Sequence, residues 1–293
     1  MYVATLVRAD GLAAEDIAAA SDALAQVGFV PGPVQWIEPG VAADLSFTGD
    51  DLPIVRSVLE VALPKVDVIA QVAADRRRML IIADMDSTMI TVECIDELAD
   101  YAGIKAQVAE VTEAAMRGEL DFEAALDVRV ALLRGLDSGV IARCLVERVH
   151  LMPGAQALVR TMRHNGAAAV LVSGGFTAFA DPVAEQIGFE RAVANRLLIF
   201  EGQLTGTVAK PIVDSATKRE QLLAETARIG CGLSAVLAVG DGANDIPMIE
   251  AAGLGVAYHA KPKTAAAANA AIRYGDLSVL LYAQGYARRD WVV

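Results

Sequence analysis

The chain has 293 residues, 55% of them apolar and 21% charged, with 25 Lys+Arg against 37 Asp+Glu for a net charge of −12. At roughly 100–200 residues per domain, this length predicts one large domain or two unequal ones with a sizeable core, and the apolar content excludes global disorder. The acidic balance argues against nucleic acid and anionic membrane surfaces as main partners, because both need a basic footprint; it leaves room for a small anionic substrate, since local cations or a metal can invert the field of one pocket.

The first 75 residues predict a β-α-β-β-α-β order. Tyr2–Val7 is a short apolar strand, Ala13–Val27 is helical with Asp16 near its start, and Val34–Ile37 and Ala42–Phe47 are strands joined through Pro39-Gly40. Leu52–Leu63 is again helical and Val66–Val72 is a last strand, which completes a split-βαβ or ferredoxin-like α+β unit. The charged run Asp75-Arg76-Arg77-Arg78 then marks a solvated linker and the domain boundary, giving predicted domains at 1–75 and 76–293.

From Met79 the pattern changes. Met79–Ala83, Ala168–Val172 and Ala235–Val239 are continuous apolar runs, as expected of strands covered on both faces. Between the first two, Ile95–Val149 carries apolar residues at helical spacing and predicts a helical insert at about 91–150. Leu197–Phe200 and Gln203–Val208 flank Glu201-Gly202 as a hairpin. Strands alternating with helices predict an α/β fold with a doubly wound parallel sheet.

Mean hydropathy is +0.42, yet the longest uncharged stretch, His164 to Ala180, is broken by Asn165, Gly166, Ser173, Gly174 and Gly175 and reads as strand, loop and helix start, not a membrane span. Met1–Asp10 shows no basic region followed by a long apolar run, so no signal peptide is expected. Cys94, Cys144 and Cys231 lie far apart and suggest no disulfide framework, and a reducing cytoplasm is the expected compartment. His150, His164 and His259 show no metal-ligand spacing.

Each long apolar run stops at a polar cluster: Asp84-Met85-Asp86-Ser87-Thr88, Ser173-Gly174-Gly175-Phe176, and Gly240-Asp241-Gly242-Ala243-Asn244-Asp245. Ligands of open α/β sheets bind beyond the carboxyl ends of the strands, so the three clusters are expected to converge on one crevice. Asp84 and Asp86 are two apart at a strand end and can point the same way, joined by Asp241 and Asp245 from a neighbouring strand. Unit like charges 4 Å apart repel by roughly 4 kcal/mol at an effective dielectric near 20, so crowded carboxylates need a cation or shared protons. Oxygen-only ligands without a nearby Cys or His favour Mg²⁺. Ser173 and the bare glycine amides offer a phosphate cradle, which makes a phosphoryl group the shared ligand. Any one cluster alone reads as a plain turn. The third fails as a dinucleotide fingerprint, because Asp245 stands where the last glycine belongs.

In this order, D-M-D-S-T, V-S-G-G-F and V-G-D-G-A-N-D resemble the motifs of the haloacid dehalogenase superfamily, and within it the phosphoserine phosphatase family, over about Met79 to Gly275. The resemblance implies a phosphatase domain with a helical cap that hydrolyses O-phospho-L-serine to L-serine, the last step of serine biosynthesis. It implies Asp84 as the nucleophile that forms an aspartyl-phosphate, and Asp86 as the acid that protonates the leaving oxygen and then the base that activates water. Asp84, the backbone carbonyl of Asp86 and Asp241 would hold Mg²⁺, with Asp245 orienting that shell. Ser173, Gly174 and Asn244 would bind phosphate or position water. Lys218, in D-S-A-T-K-R, matches the charge-neutralising lysine, with Lys210 as competitor. Glu93 and Arg129 match the residues that hold the ammonium and carboxylate of the amino acid. Met89, Phe122 and Leu132 are pocket-wall candidates, with core packing the plainer role.

The first 75 residues resemble an ACT-type regulatory domain, with Arg8-Ala9-Asp10-Gly11-Leu12 as its first strand-to-helix loop; this implies serine binding, dimerisation into a homodimer (the favoured role), or only a cover for the core. Two other readings stand beside the leading one: a related phosphatase or phosphotransferase for another small phosphorylated amino acid such as phosphohomoserine, and a non-catalytic amino-acid sensor. The intact set of acidic, serine and lysine residues argues against the sensor.

Overall fold

The computed structural model describes residues 1–74, 76–116 and 119–293, without the side chain of Met116. Asp75, at the predicted domain boundary, therefore lies outside the described residues. The N-terminal elements follow the expected order: β1 (Tyr2–Val7), α1 (Ala14–Gln26), β2 (Val30–Glu38), β3 (Ala42–Thr48), α2 (Leu52–Ala62) and β4 (Asp67–Val72). They form an antiparallel sheet in the order β2-β3-β1-β4. Alternation sets its two faces. Ala4, Leu6, Leu45, Phe47 and Val68 pack against Ile17, Leu24, Val55 and Leu59 of the two helices. Val7, Ala42 and Ile69 point the other way and join the larger core of the rest of the chain. Strand β2 is longer than the predicted Val34–Ile37 because it accepts Pro31 and Pro33: it is an edge strand with register shifts, where a missing N–H costs no ladder bond.

The second part contains β5 (Leu80–Ala83), the helices α3 (Cys94–Tyr101), α4 (Lys105–Met116), α5 (Phe122–Leu132), α6 (Gly139–Glu147) and α7 (Ala155–His164), then β6 (Ala168–Phe176), α8 (Thr177–Ile187) and β7 (Arg191–Asn195). The hairpin β8 (Leu197–Phe200) and β9 (Gln203–Val208) follows, then α9 (Ser215–Ile229), β10 (Val236–Gly240), α10 (Ile246–Ala251), β11 (Leu254–Tyr258), α11 (Pro262–Ala267), β12 (Ala270–Ile272) and α12 (Val279–Ala283). A six-stranded parallel sheet runs β12-β11-β10-β5-β6-β7. Its central strands are covered on both faces, as their continuous apolar runs require: Leu80, Ile82, Val170 and Val236 meet Leu222 and Met248, while Ile81, Ala83, Leu171 and Val239 face the opposite core. Helices α3 to α6 lie between β5 and α7, within the stretch where a helical insert is expected.

The chain runs outward from β5 to β6 and β7 on one side and from β10 to β12 on the other. The strand order therefore reverses between β5 and β10, and in such sheets the crevice at that reversal is where a ligand fits. One expectation needs correction. Ser173-Gly174-Gly175 do not follow β6 but lie within its C-terminal end, because the strand continues to Phe176 through a register shift against β7 between Val172 and Phe176. The irregularity frees backbone groups of these residues from the ladder.

Candidate active site

Asp84 is the first residue after β5, and its amide still donates to the Val239 carbonyl of β10 at 3.0 Å. The chain then folds tightly: the amides of Thr88, Met89 and Ile90 all donate to the Met85 carbonyl, at 3.2, 2.8 and 3.1 Å. That turn carries the buried Thr88 hydroxyl back to β10, where it donates to Asp241 Oδ1 at 3.1 Å. Asp84 and Asp86 both reach the crevice but diverge within it. Asp84 Oδ1 lies 2.6 Å from Lys218 Nζ, whereas Asp86 Oδ1 accepts from the Cys94 amide at 3.2 Å.

Lys218 projects from α9, whose start is fixed by Asp214 accepting from the Thr217 amide at 2.8 Å. The lysine is 0% exposed and also bonds Asp245 Oδ1 at 2.6 Å. Lys210 goes elsewhere: its ammonium pairs with Glu123 at 2.7 Å and Asp127 at 2.9 Å on α5. The structure thus brings Lys218, not Lys210, to the carboxylates. Asp245 is anchored twice, since its Oδ2 accepts from the Gly242 amide at 2.9 Å. Gly240 makes that approach possible: a Cβ there would sit 2.4 Å from the Asp245 carboxyl carbon. Asn244 is half-buried with its Oδ1 folded against Gly242.

Oxygen atoms of Asp84, Asp241 and Asp245 lie within 4.8 Å of one another. Burial, the Asp245 charge and the Asp241 charge hold the Asp84 carboxyl well above the usual range, against the pull of Lys218. Burial, Asp245 and Glu93 push Asp241 up to about 6. Burial and Glu93 push Asp86 up to about 7. Burial works against the Lys218 ammonium, yet Asp245 and Asp84 outweigh it and raise its pKa. One lysine among these carboxylates leaves an excess of negative charge on an all-oxygen donor set, which fits a hard divalent cation. Asp84 and Asp241 each commit Oδ1 to the bonds above, which leaves Oδ2 of each for such an ion. Asp86 contributes no side-chain oxygen to this cluster; the backbone carbonyl expected of it is a separate atom.

From β6, the buried Ser173 hydroxyl accepts from the Gly175 amide at 2.8 Å. A Cβ on Gly175 would lie 2.7 Å from Asp86 Oδ2, so only glycine lets this strand end meet the first cluster. The Phe122 ring of α5 lies against Gly174, within 3.0 Å of where a Cβ would be. Helix α5 therefore meets the end of β6 through Phe122, which is partly buried against the core that contains Met89. Glu93 is exposed at the N-cap of α3 and accepts from the Ser87 hydroxyl at 2.6 Å. Arg129 of α5 is half-buried; burial lowers its pKa against the fields of Asp96, Glu93 and Asp86. Among the described residues no carboxylate forms an ion pair with Arg129.

Sequence reasoning brought out the three clusters but gave no role to Thr88 or Asn195. Thr88 lies within D-M-D-S-T, so its hydroxyl in a strand-end turn is a signal legible in the sequence. Asn195, a lone amide at the end of a strand, carried none.

Residues 81–250 match the family model of the haloacid dehalogenase-like hydrolases. A phosphoserine phosphatase of Streptomyces coelicolor is 44% identical over 256 residues, covering 86% of this chain and 62% of that protein, so the match spans less than two thirds of the relative's own length. A phosphoserine phosphatase of Polaromonas is 46% identical over 207 residues, covering 69% of this chain and 88% of that one. The solved structure of a probable phosphoserine phosphatase from Vibrio cholerae superposes with a TM-score of 0.77 at 34% identity, covering 98% of this chain and 88% of that one. With its motifs gathered at one sheet reversal and more than half its length matching the family model, the chain belongs to the haloacid dehalogenase-like hydrolases.

Proposed function

We propose that this chain is a Mg²⁺-dependent phosphatase that hydrolyses O-phospho-L-serine to L-serine and inorganic phosphate. The observation that carries the reading is the buried Lys218 bridging Asp84 and Asp245 beside Asp241, at the point where the sheet order reverses. An Asp84 oxygen attacks phosphorus, the bond from phosphorus to the serine oxygen breaks, and Asp86 gives that oxygen its proton. Asp86 then takes a proton from water, which attacks the aspartyl-phosphate and releases phosphate and the Asp84 carboxylate. Lys218, the Ser173 hydroxyl and the Gly174 amide hold the phosphoryl oxygens, and Asn244 positions phosphate or water. Mg²⁺ held by Asp84, Asp241 and the Asp86 carbonyl would supply positive charge against the repulsion between carboxylate and phosphate dianion.

Substrate choice rests on the cap. Arg129, without a carboxylate partner among the described residues, takes the substrate carboxylate, and Glu93 takes its ammonium. The relatives named as phosphoserine phosphatases support this choice. The test is turnover of L-phosphoserine after chelation and after Mg²⁺ is restored, with Arg129→Ala alongside. Chelation should abolish turnover and Mg²⁺ restore it, and Arg129→Ala should raise KM about tenfold or more, since the carboxylate loses its bidentate partner. A preference for glycerol phosphate over phosphoserine would overturn the substrate.

The N-terminal β-α-β-β-α-β elements are read as an ACT-like domain over 1–75 that dimerises the enzyme, with the phosphatase domain over 76–293 and the cytoplasm as its compartment. Among the described residues no helix is long and apolar enough to cross a membrane. A monomeric mass by light scattering at micromolar concentration would count against the dimer.

A further inference from the structure

Asn195 ends β7, opposite Phe176, beyond the irregular stretch of β6 that holds Ser173, Gly174 and Gly175. It is 2% exposed. Its side chain uses all of its hydrogen-bonding polarity on backbone. Nδ2 donates to the Gly174 carbonyl at 2.9 Å and to the Val213 carbonyl at 3.3 Å, while Oδ1 accepts from the Val213 amide at 2.7 Å. The carboxamide therefore pairs with Val213 as a neighbouring strand would, and spends its second N–H on the Gly174 carbonyl, inside the irregular stretch of β6.

These two partners come from different segments that lie side by side: the Val213 carbonyl oxygen is 3.9 Å from where a Cβ on Gly174 would sit. Gly174 lies between Ser173 and Gly175 of the phosphate cradle. Val213 immediately precedes Asp214, the N-cap of α9, and Asp214 accepts the Lys218 amide through its carbonyl at 3.0 Å. The connection from Ala209 to Asp214 has no regular structure, so little else in the backbone sets where α9 begins.

We infer that Asn195 is a positioning residue for phosphoryl transfer: it fixes the spacing between the Ser173–Gly174 cradle and the helix that delivers Lys218. The inference rests on the phosphatase reading above and adds to it a residue that touches neither substrate nor metal. Aspartate in its place keeps the volume and the acceptor but loses both N–H donors. Alanine loses all three bonds.

The test compares wild type, Asn195→Asp and Asn195→Ala for phosphoserine turnover, inhibition by inorganic phosphate and thermal melting, and repeats turnover in a Ser173→Ala background. A displaced cradle should lower kcat/KM by about ten- to a hundredfold, the scale of an ångström-sized misplacement. It should also weaken inhibition by inorganic phosphate severalfold. In the Ser173→Ala background the same replacement should cost much less, because the two residues act as one unit. A variant that melts earlier but turns over and binds phosphate like wild type would show Asn195 to be only structural and overturn the inference, as would equal losses in both backgrounds. If Asn195→Ala fails to fold, Asn195→Asp carries the test. An inactive wild type tells against the phosphatase reading; an active wild type with unaltered variants tells against this one.

Discussion

Asp67 and Asp84 are both buried carboxylates at strand ends, 2% and 6% exposed, and they are satisfied in opposite ways. Asp67, at the start of β4, accepts three consecutive backbone amides from the loop after β12: Arg273 at 2.7 Å, Tyr274 at 3.2 Å and Gly275 at 2.7 Å. These donors are fixed in place and need no ion. Burial still raises the Asp67 pKa, although the three amides pull it down. Asp84 instead shares one lysine with Asp245 and sits in the field of Asp241. A carboxylate saturated by amides has no chemistry left and acts as a staple between the N-terminal sheet and the rest of the chain. A carboxylate crowded by its own kind keeps an oxygen for a cation or for phosphorus.

Asp67 is one of several staples along that seam. Arg56 donates to the Ala265 carbonyl at 3.1 Å and to that of Ala268, and Gln71 donates to the Ala283 carbonyl at 2.7 Å. Glu60 binds Arg56 at 2.8 Å and Arg273 at 2.9 Å, one from each side. The seam is built from polar bonds, mostly to backbone, between residues far apart in the chain; the candidate site is built from charges that do not balance.

Asp84→Asn should lower phosphoserine turnover by at least about a thousandfold, because an amide cannot form the covalent intermediate. It should leave unfolding stability equal or higher, because one like charge leaves the cluster; retained turnover would refute the nucleophile. Lys218→Met should also abolish turnover, and in addition cost about 3–5 kcal/mol in denaturant unfolding, the scale for removing one partner from buried ions. A cost under about 1 kcal/mol would mean that the carboxylates do not depend on the lysine. Asp67→Ala should cost about 1–3 kcal/mol by leaving three part-buried amides without their acceptor, while turnover per folded molecule stays at the wild-type value. A matching loss of turnover would erase the contrast between staple and reactive site. Glu60→Gln should cost no more than about 1 kcal/mol. Burial raises the Glu60 pKa, but its bonds to Arg273 and Arg56 outweigh this and leave it below 4.5. Its contribution is therefore full above that value and lost as the pH falls through the lowered one, so the two melting curves should converge in acid.

Much of the fold was legible because it is written locally. The hairpin Leu197–Phe200 and Gln203–Val208 and the strand Tyr2–Val7 match the expected bounds, since a glycine turn and an apolar alternation are short-range signals. The three polar clusters were legible for the same reason: each sits at the end of a continuous apolar run. Strand β2 was underestimated because Pro31 and Pro33 disfavour a strand unless it lies at an edge, and edge position is a property of the whole sheet. The end of β6 was misjudged because Ser173-Gly174-Gly175 reads as a turn until β7 pairs again at Phe176.

The sequence by itself determined which residue types stand where apolar strands end, and hence that carboxylates, a hydroxyl and bare amides would gather at one crevice. It could not choose between Lys210 and Lys218, nor see Thr88 reach Asp241, Asn195 join Gly174 to Val213, or Asp67 cap residues 273–275. Each of those bonds links positions brought together only when the parallel strands take their order, so burial and partner are decided by tertiary packing. A polar side chain has a local signature when its partner is a neighbour in the chain, and none when its partner arrives from another layer.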